Sequence, residues 1–170
     1  MKIIYIDPER CLACKSCELA CAVAHSRSKE LLQAIAEEPR PAYRVSVIAS
    51  QDIVLPLQCR HCEEAPCVEV CPSRALTKEK NGIVSLDAQL CIGCQFCLLV
   101  CPFGVIKTDK EGKAVIKCDL CRDRLERGEE PACVTACLTG ALKFVEAEEV
   151  SRTKQDKFLT EYKKQMTKSE

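Results

Sequence analysis

Cysteine placement constrains this chain more than any other feature. The sixteen cysteines of its 170 residues fall into four groups of four. Group one is Cys11, Cys14, Cys17 and Cys21, in CLACKSCELAC. Group two is Cys59, Cys62, Cys67 and Cys71, in CRHCEEAPCVEVCP. Group three is Cys91, Cys94, Cys97 and Cys101, in CIGCQFCLLVCP. Group four is Cys118, Cys121, Cys133 and Cys137, in CDLCRDRLERGEEPACVTAC. Every group begins C-x2-C and ends C-x3-C.

Three chemistries compete for such thiols. Eight disulfides would need an oxidising compartment, and a C-x2-C pair is poorly placed to bridge within itself outside redox motifs. Four structural zinc ions could use all sixteen thiolates, but zinc ribbons use two separated C-x2-C pairs. They do not use three cysteines on one short loop followed by C-x3-C. The third chemistry is the [4Fe–4S] cluster. The run C-x2-C-x2-C-x3-C-P is the bacterial ferredoxin pattern, whose fourth cysteine ligates the other cluster of a pair. Group three has the full pattern, and group one has it with Ala22 in place of the proline. Groups two and four lengthen the loop before the third cysteine without moving the outer anchors. The expectation is four [4Fe–4S] clusters.

Composition agrees. Apolar residues are 47% of the chain, part of that being cysteine, aromatics are 4% and there is no Trp. So thin a core needs help, and metal-binding free energy is folding free energy where the site does not exist in the unfolded chain. The 25 basic and 25 acidic residues balance. No basic stripe with interleaved aromatics suggests nucleic acid. Each oxidised cluster with its thiolates adds about −2, so the loaded protein is expected near −8. No apolar run reaches the roughly eighteen residues of a membrane span. MKIIYIDPERC lacks the apolar stretch of a signal peptide, which makes the cytoplasm the expected location.

The repeats extend beyond the cysteines. IIYIDPERC (3–11) matches IVSLDAQLC (83–91), and PCVEVCPSRAL (66–76) matches ACVTACLTGAL (132–142). The unit is a strand, a cysteine loop, one or two helical turns and a return strand. Outside it, SKELLQAIAEE (28–38) has helical spacing. YRVSVIAS (43–50) reads as a strand with Val45 and Val47 on one face. The charged tail 147–170 places Phe158, Leu159, Tyr162 and Met166 at helical spacings.

The order of the groups resembles the four-cluster iron–sulfur subunits of the dimethyl sulfoxide reductase family, from residue 1 to about 146. KCDLCRDR followed by PACVTACLTGAL resembles that family's fourth motif. Within the family, CLACKSCELACAVAHS resembles the CooF-type protein that accompanies carbon monoxide dehydrogenase. The resemblance implies an α+β, tandem ferredoxin-like fold with two pseudo-symmetric halves. The outer half would combine 1–51 with 107–146, the inner half would span 52–106, and 147–170 would be a helical tail. It also implies cross-ligation: Cys11, Cys14 and Cys17 with Cys137; Cys118, Cys121 and Cys133 with Cys21; Cys59, Cys62 and Cys67 with Cys101; and Cys91, Cys94 and Cys97 with Cys71. The sites would follow one another in the order one, four, three, two. The missing prolines after Cys21 and Cys137 are expected to loosen those turns.

The function implied is electron transfer without catalysis. The donor would be carbon monoxide dehydrogenase and the acceptor a hydrogenase or a flavin-dependent NAD(P) oxidoreductase. The alternative is the iron–sulfur subunit of a formate dehydrogenase, a hydrogenase or another molybdopterin oxidoreductase complex. A zinc-stabilised scaffold is the remote alternative.

Other residues invite plainer readings. His25 and His61 suit hydrogen bonding, since each cluster already has four thiols. Lys15, Arg60, Lys117 and Arg122 flank ligands, where a positive charge would raise a cluster's potential, but solvated surface positions serve equally. Gly93 permits a tight loop. Asp7 and Asp87, at matching repeat positions, would cap turns. No G-x-G-x-x-G, P-loop or nucleophile–base set is present.

Overall fold

The structure, a computed structural model, describes residues 2–109 and 111–166. It is a small α+β protein whose strands form four two-stranded antiparallel ladders. The elements in chain order are β1 (Lys2–Ile6), α1 (Ser16–Ala24), α2 (Leu31–Ala36), β2 (Val45–Ala49), β3 (Val54–Gln58), α3 (Pro66–Glu69), β4 (Leu76–Lys78) and β5 (Val84–Leu86). They continue with α4 (Phe96–Val100), β6 (Lys107–Thr108), β7 (Val115–Ile116), α5 (Arg122–Glu126), α6 (Ala132–Thr135), β8 (Leu142–Glu146) and α7 (Ala147–Met166).

The internal repeat is visible in the ladders. β1 leads into group one and pairs with β8, which leaves group four; Ile6 lies opposite Leu142. β5 leads into group three and pairs with β4, which leaves group two; Leu86 lies opposite Leu76. Both ladders end in the same bond. Asp7 N–H donates to Ala141 O at 2.8 Å, and Asp87 N–H donates to Ala75 O at 2.8 Å. The two aspartates differ in their side chains. Asp87 Oδ1 accepts from Gln89 N–H at 2.9 Å, as a capping residue should, whereas the Asp7 side chain makes no cap to the 3-10 turn that follows it.

Two clusters of buried side chains form. One gathers Ile4, Cys17, Cys21, Val45, Leu120, Cys133, Val134 and Leu142, with Ile83 from the middle of the chain. The other gathers Ala65, Leu76, Val84, Cys97 and Ile106, with Val115 from the β6–β7 hairpin. Cysteines sit in both, so the thiols and the core occupy the same space.

The segment 28–38 is helical over Leu31–Ala36 only. The Glu30 carboxylate accepts from the N–H groups of Leu32 and Gln33, which fixes the start one turn late. The Glu37 carboxylate accepts from Arg27 and Ser28 N–H, which holds the residues beyond the helix in a loop. YRVSVIAS forms β2, with Val45 buried and Val47 half-buried. The tail forms α7 through Met166; residues 167–170 of the expected tail lie outside the described residues. Its first turns touch β8 and β1. Phe158, Leu159, Tyr162 and Met166 are exposed, and Phe158 stacks on Tyr162. Among the described residues no helix is long and apolar enough to cross a membrane.

Candidate metal centres

One backbone rule builds all four cysteine loops. The residue before the second cysteine has a left-handed conformation in every group: Ala13 (φ 55°), His61 (φ 48°), Gly93 (φ 69°) and Leu120 (φ 60°). This turns the loop around the first sulfur. His61 N–H points at Cys59 Sγ at 3.4 Å, and Leu120 N–H at Cys118 Sγ at 3.4 Å. Arg44 N–H reaches Cys21 Sγ at 3.2 Å, and Leu142 N–H reaches Cys137 Sγ at 3.4 Å. Donors aimed at sulfur favour the thiolate, the form that binds metal.

A second rule shapes the exit. The residue three beyond the fourth cysteine donates to that cysteine's carbonyl: Arg74 to Cys71 at 3.2 Å, Gly104 to Cys101 at 3.2 Å and Gly140 to Cys137 at 3.1 Å. All three have positive φ. The expected loosening after Cys137 therefore does not occur, because Gly140 supplies the turn without a proline. After Cys21 the chain makes no such turn; α1 runs on to Ala24.

The sulfurs gather in sets that mix the groups. Cys71 lines one cavity with Cys91, Cys94 and Cys97, together with Leu76, Leu86 and Val115. Cys101 lines another with Cys59, Cys62 and Cys67, together with Pro66, Pro102 and Ile106. In the rest of the chain, burial pushes the Cys17 thiol up to about 11, and the neighbouring charges of Cys137 and Cys14 add to this. Burial also pushes the Cys133 thiol up, helped by Cys118, Cys121 and Cys21. Cys121 is raised to about 11, mainly by burial, with Cys21 again contributing.

The sets also neighbour one another. Cys133 also feels Cys17, which joins the group-one and group-four sets. Cys97 feels Cys67, which joins the group-three and group-two sets. The group-four and group-two sets meet at Val84. Its N–H donates to His61 Nδ1 at 3.0 Å, and its carbonyl accepts from Lys117 Nζ, which also donates to Cys118 O at 2.6 Å. The Val84 junction places the loop of group two, rather than that of the expected group three, beside the loop of group four. Cys21, Cys118, Cys121 and Cys133 are all buried, and the exposed cysteines are Cys14 and Cys94, in the group-one and group-three sets.

Among the flanking residues, Lys117 differs from the plain reading. Lys117 is only 3% exposed, not a solvated surface residue. Lys15 and Arg122 are exposed, and Arg122 pairs with Glu79 and Glu126. His61 is buried and its Nδ1 accepts from Val84, so Nε2 carries the proton. His25 donates to Asp119 Oδ1 at 3.0 Å and, through Nδ1, to Cys21 O at 2.7 Å. Burial lowers the His25 pKa, but the bond to Asp119 outweighs it and lifts the value to about 9. Asp119 also pairs with Arg44 and accepts from Cys121 N–H at 3.0 Å. Burial pushes its carboxyl up, yet His25 and Arg44 hold it well below the usual carboxylate range. Sequence reading missed Asp119 and Arg44; the signal present was an acid inside a C-x2-C loop.

The residues fit clusters and not single ions. Among the described residues, the potential ligand atoms that come within 4.8 Å of one another in a set of three are those of His25, Asp119 and Cys121, not those of any cysteine set. A tetrahedral zinc ion needs four sulfurs drawn tightly around one point. A cubane spreads its thiolates over its corners. Buried thiols also need a cation to exist as thiolates. Beside the Cys59–Cys62 loop, Gln58 Nε2 and His61 Nε2 are buried donors with no partner among the described residues. Inorganic sulfide is an acceptor suited to them. All sixteen cysteines are free, which removes the disulfide reading.

The 4Fe-4S dicluster domain matches residues 51–147, and a 4Fe-4S binding domain matches residues 8–24. The chain belongs to the 4Fe-4S dicluster family. It is 44% identical over 156 residues to an iron-sulfur protein of Rhodospirillum rubrum, with 85% of this chain and 82% of that protein covered. It is 38% identical to the thiosulfate reductase electron transfer subunit PhsB of Salmonella typhi, covering 81% of this chain and 72% of that one. It is 35% identical to the B subunit of the anaerobic dimethyl sulfoxide reductase of Escherichia coli (strain K12), covering 87% and 75%. As a dicluster-family member with sixteen free cysteines it carries four [4Fe–4S] clusters. It is an electron-transfer iron–sulfur protein rather than a catalyst.

Proposed function

We propose that this chain is the electron-transfer subunit of an anaerobic oxidoreductase complex with a molybdopterin catalytic subunit. The observation that carries this reading is its similarity, over most of both chains, to the subunits named for thiosulfate reductase and dimethyl sulfoxide reductase. Four bound clusters supply one-electron redox sites.

The chain's own residues have three tasks. The cysteines hold the clusters in the pairing Cys11, Cys14, Cys17 with Cys137; Cys21 with Cys118, Cys121, Cys133; Cys59, Cys62, Cys67 with Cys101; and Cys71 with Cys91, Cys94, Cys97. The cavities shared across groups support this pairing. The two buried clusters of side chains exclude water from the interior sets. They support a tandem ferredoxin-like fold, with 1–51 and 107–146 as one half, 52–106 as the other and 147–170 as a tail. Apolar collars at the two ends form docking faces. Leu12 and Leu19 are exposed beside Cys14 in sequence and Leu138 beside Cys137, and Leu90, Ile92, Phe96 and Leu99 are exposed around Cys94 in sequence. Sixteen cysteines serving as metal ligands and not as disulfides suit a reducing compartment, the cytoplasm.

A second reading joins the chain to carbon monoxide dehydrogenase, with a hydrogenase or flavin-dependent NAD(P) oxidoreductase as acceptor. It rests on the CLACKSCELACAVAHS stretch. Anaerobic purification of the tagged chain from its own cells separates the two. Co-purification of a molybdopterin subunit whose substrate oxidises the reduced chain supports the first reading. Co-purification of carbon monoxide dehydrogenase, with bleaching of the chain by carbon monoxide, replaces it with the second.

A further inference from the structure

Lys117 stands at the only junction between the group-two and group-four sets that the described hydrogen bonds reveal. Its ammonium is buried, at 3% exposure, and donates to two backbone carbonyls, those of Val84 and Cys118. Val84 in turn donates to His61 in the loop of Cys59 and Cys62. A single buried lysine therefore touches the backbone of the group-four loop and, through Val84, stands one hydrogen bond from the group-two loop.

Neither carbonyl carries a formal charge, and no carboxylate lies within ion-pair distance of Lys117 among the described residues. A buried cation with only dipoles around it is costly. Such a charge persists where anionic groups nearby return the cost. The anions at hand are the thiolates. Lys117 Nζ bonds to the carbonyl of the ligand Cys118 and, through Val84, sits beside the loop of Cys59 and Cys62.

We infer that Lys117 sets the reduction potentials of the two clusters on either side of it, raising both relative to the clusters at the ends. Reduction adds one electron to a cluster and makes its site one unit more negative. A cation held in a low-dielectric interior favours the more negative state. The interior pair then stays accessible to electrons although it is shielded from water. Lys117 acts as a positioning charge and touches no reacting atom. The inference rests on the proposed ligand pairing, which Cys21→Ser tests separately.

The test is an anaerobic potentiometric titration of the loaded protein, followed by electron paramagnetic resonance, with iron and sulfide counted for each sample. Lys117→Gln keeps an N–H donor for the two carbonyls and removes the charge. Lys117→Met removes both, and Lys117→Arg keeps the charge. In the two neutral variants, two of the four clusters are expected to become harder to reduce. The change should be at least tenfold in the reduced-to-oxidised ratio at fixed poise, or about 59 mV for a one-electron couple. The other two should not move, and Lys117→Arg should match the wild type. Fully loaded Lys117→Gln with wild-type potentials overturns the inference, as does an equal shift of all four clusters. Failure of both neutral variants to load, with Lys117→Arg loading normally, counts for the charge; failure of all three counts against it.

Discussion

His25 donates through Nε2 to Asp119 Oδ1 at 3.0 Å, and so ties the end of α1 to the first loop of cysteine group four. The two residues are 94 apart in sequence. Asp119 also holds Arg44 and Cys121 N–H, so one carboxylate fixes three segments around the interior thiol set.

Replacing that carboxylate should loosen all three. Asp119→Ala is expected to cost roughly 2–3 kcal/mol, because charged hydrogen bonds are lost and Arg44 keeps a partly buried charge. Thermal unfolding of the loaded variant checks this, with a drop in Tm of roughly 4–12 °C expected. A Tm within a degree of wild type would show the link to be idle.

Gly93 has a sharper requirement than its positive φ. A Cβ there would meet Lys113 O at 2.5 Å. Ala13 holds the matching place in group one with φ 55°, so the conformation alone is tolerated by alanine. Gly93→Ala should therefore destabilise through the clash, by about 2 kcal/mol, and Ala13→Gly should change stability by under about 1 kcal/mol. Paired melts of the two variants decide this; equal effects would refute the role of the close approach.

The cysteine pattern was readable because ligand spacing is local, and a left-handed residue before each second cysteine recurs wherever C-x2-C does. The ladder repeat was readable for the same reason, in the match of 3–11 with 83–91. What escaped was set by long-range packing. Nothing near Lys117 in sequence says that Val84, 33 residues away, buries it. The Arg44–Asp119 pair spans 75 residues. That the group-two loop lies beside the group-four loop rests on the same Val84 contact, so it emerged only from the folded chain. The helix at 28–38 came out shorter because a carboxylate, Glu30, caps it from inside the periodic stretch.

Helix α7 packs on β8 and β1 near its start, and its apolar residues are exposed. A chain ending at Glu146 should hold the same iron and sulfide per protein as the full chain. Elemental analysis after anaerobic loading checks this. Loss of even one cluster's iron would make α7 part of the scaffold.

Iron removal should abolish the fold itself. Buried thiols make up part of both cores, and aromatic residues are scarce. Anaerobic chelation is expected to leave a chain without a cooperative thermal transition. A sharp calorimetric transition in metal-free protein would show that the apolar core suffices.

The central claim is that each group of cysteines completes a cluster begun by another. Cys21→Ser tests it most directly, with iron located site by site from anomalous diffraction of the loaded crystal. The account predicts depleted iron at the set of Cys118, Cys121 and Cys133 and full iron beside Cys11, Cys14 and Cys17. Depletion confined to the Cys11, Cys14 and Cys17 set would contradict it.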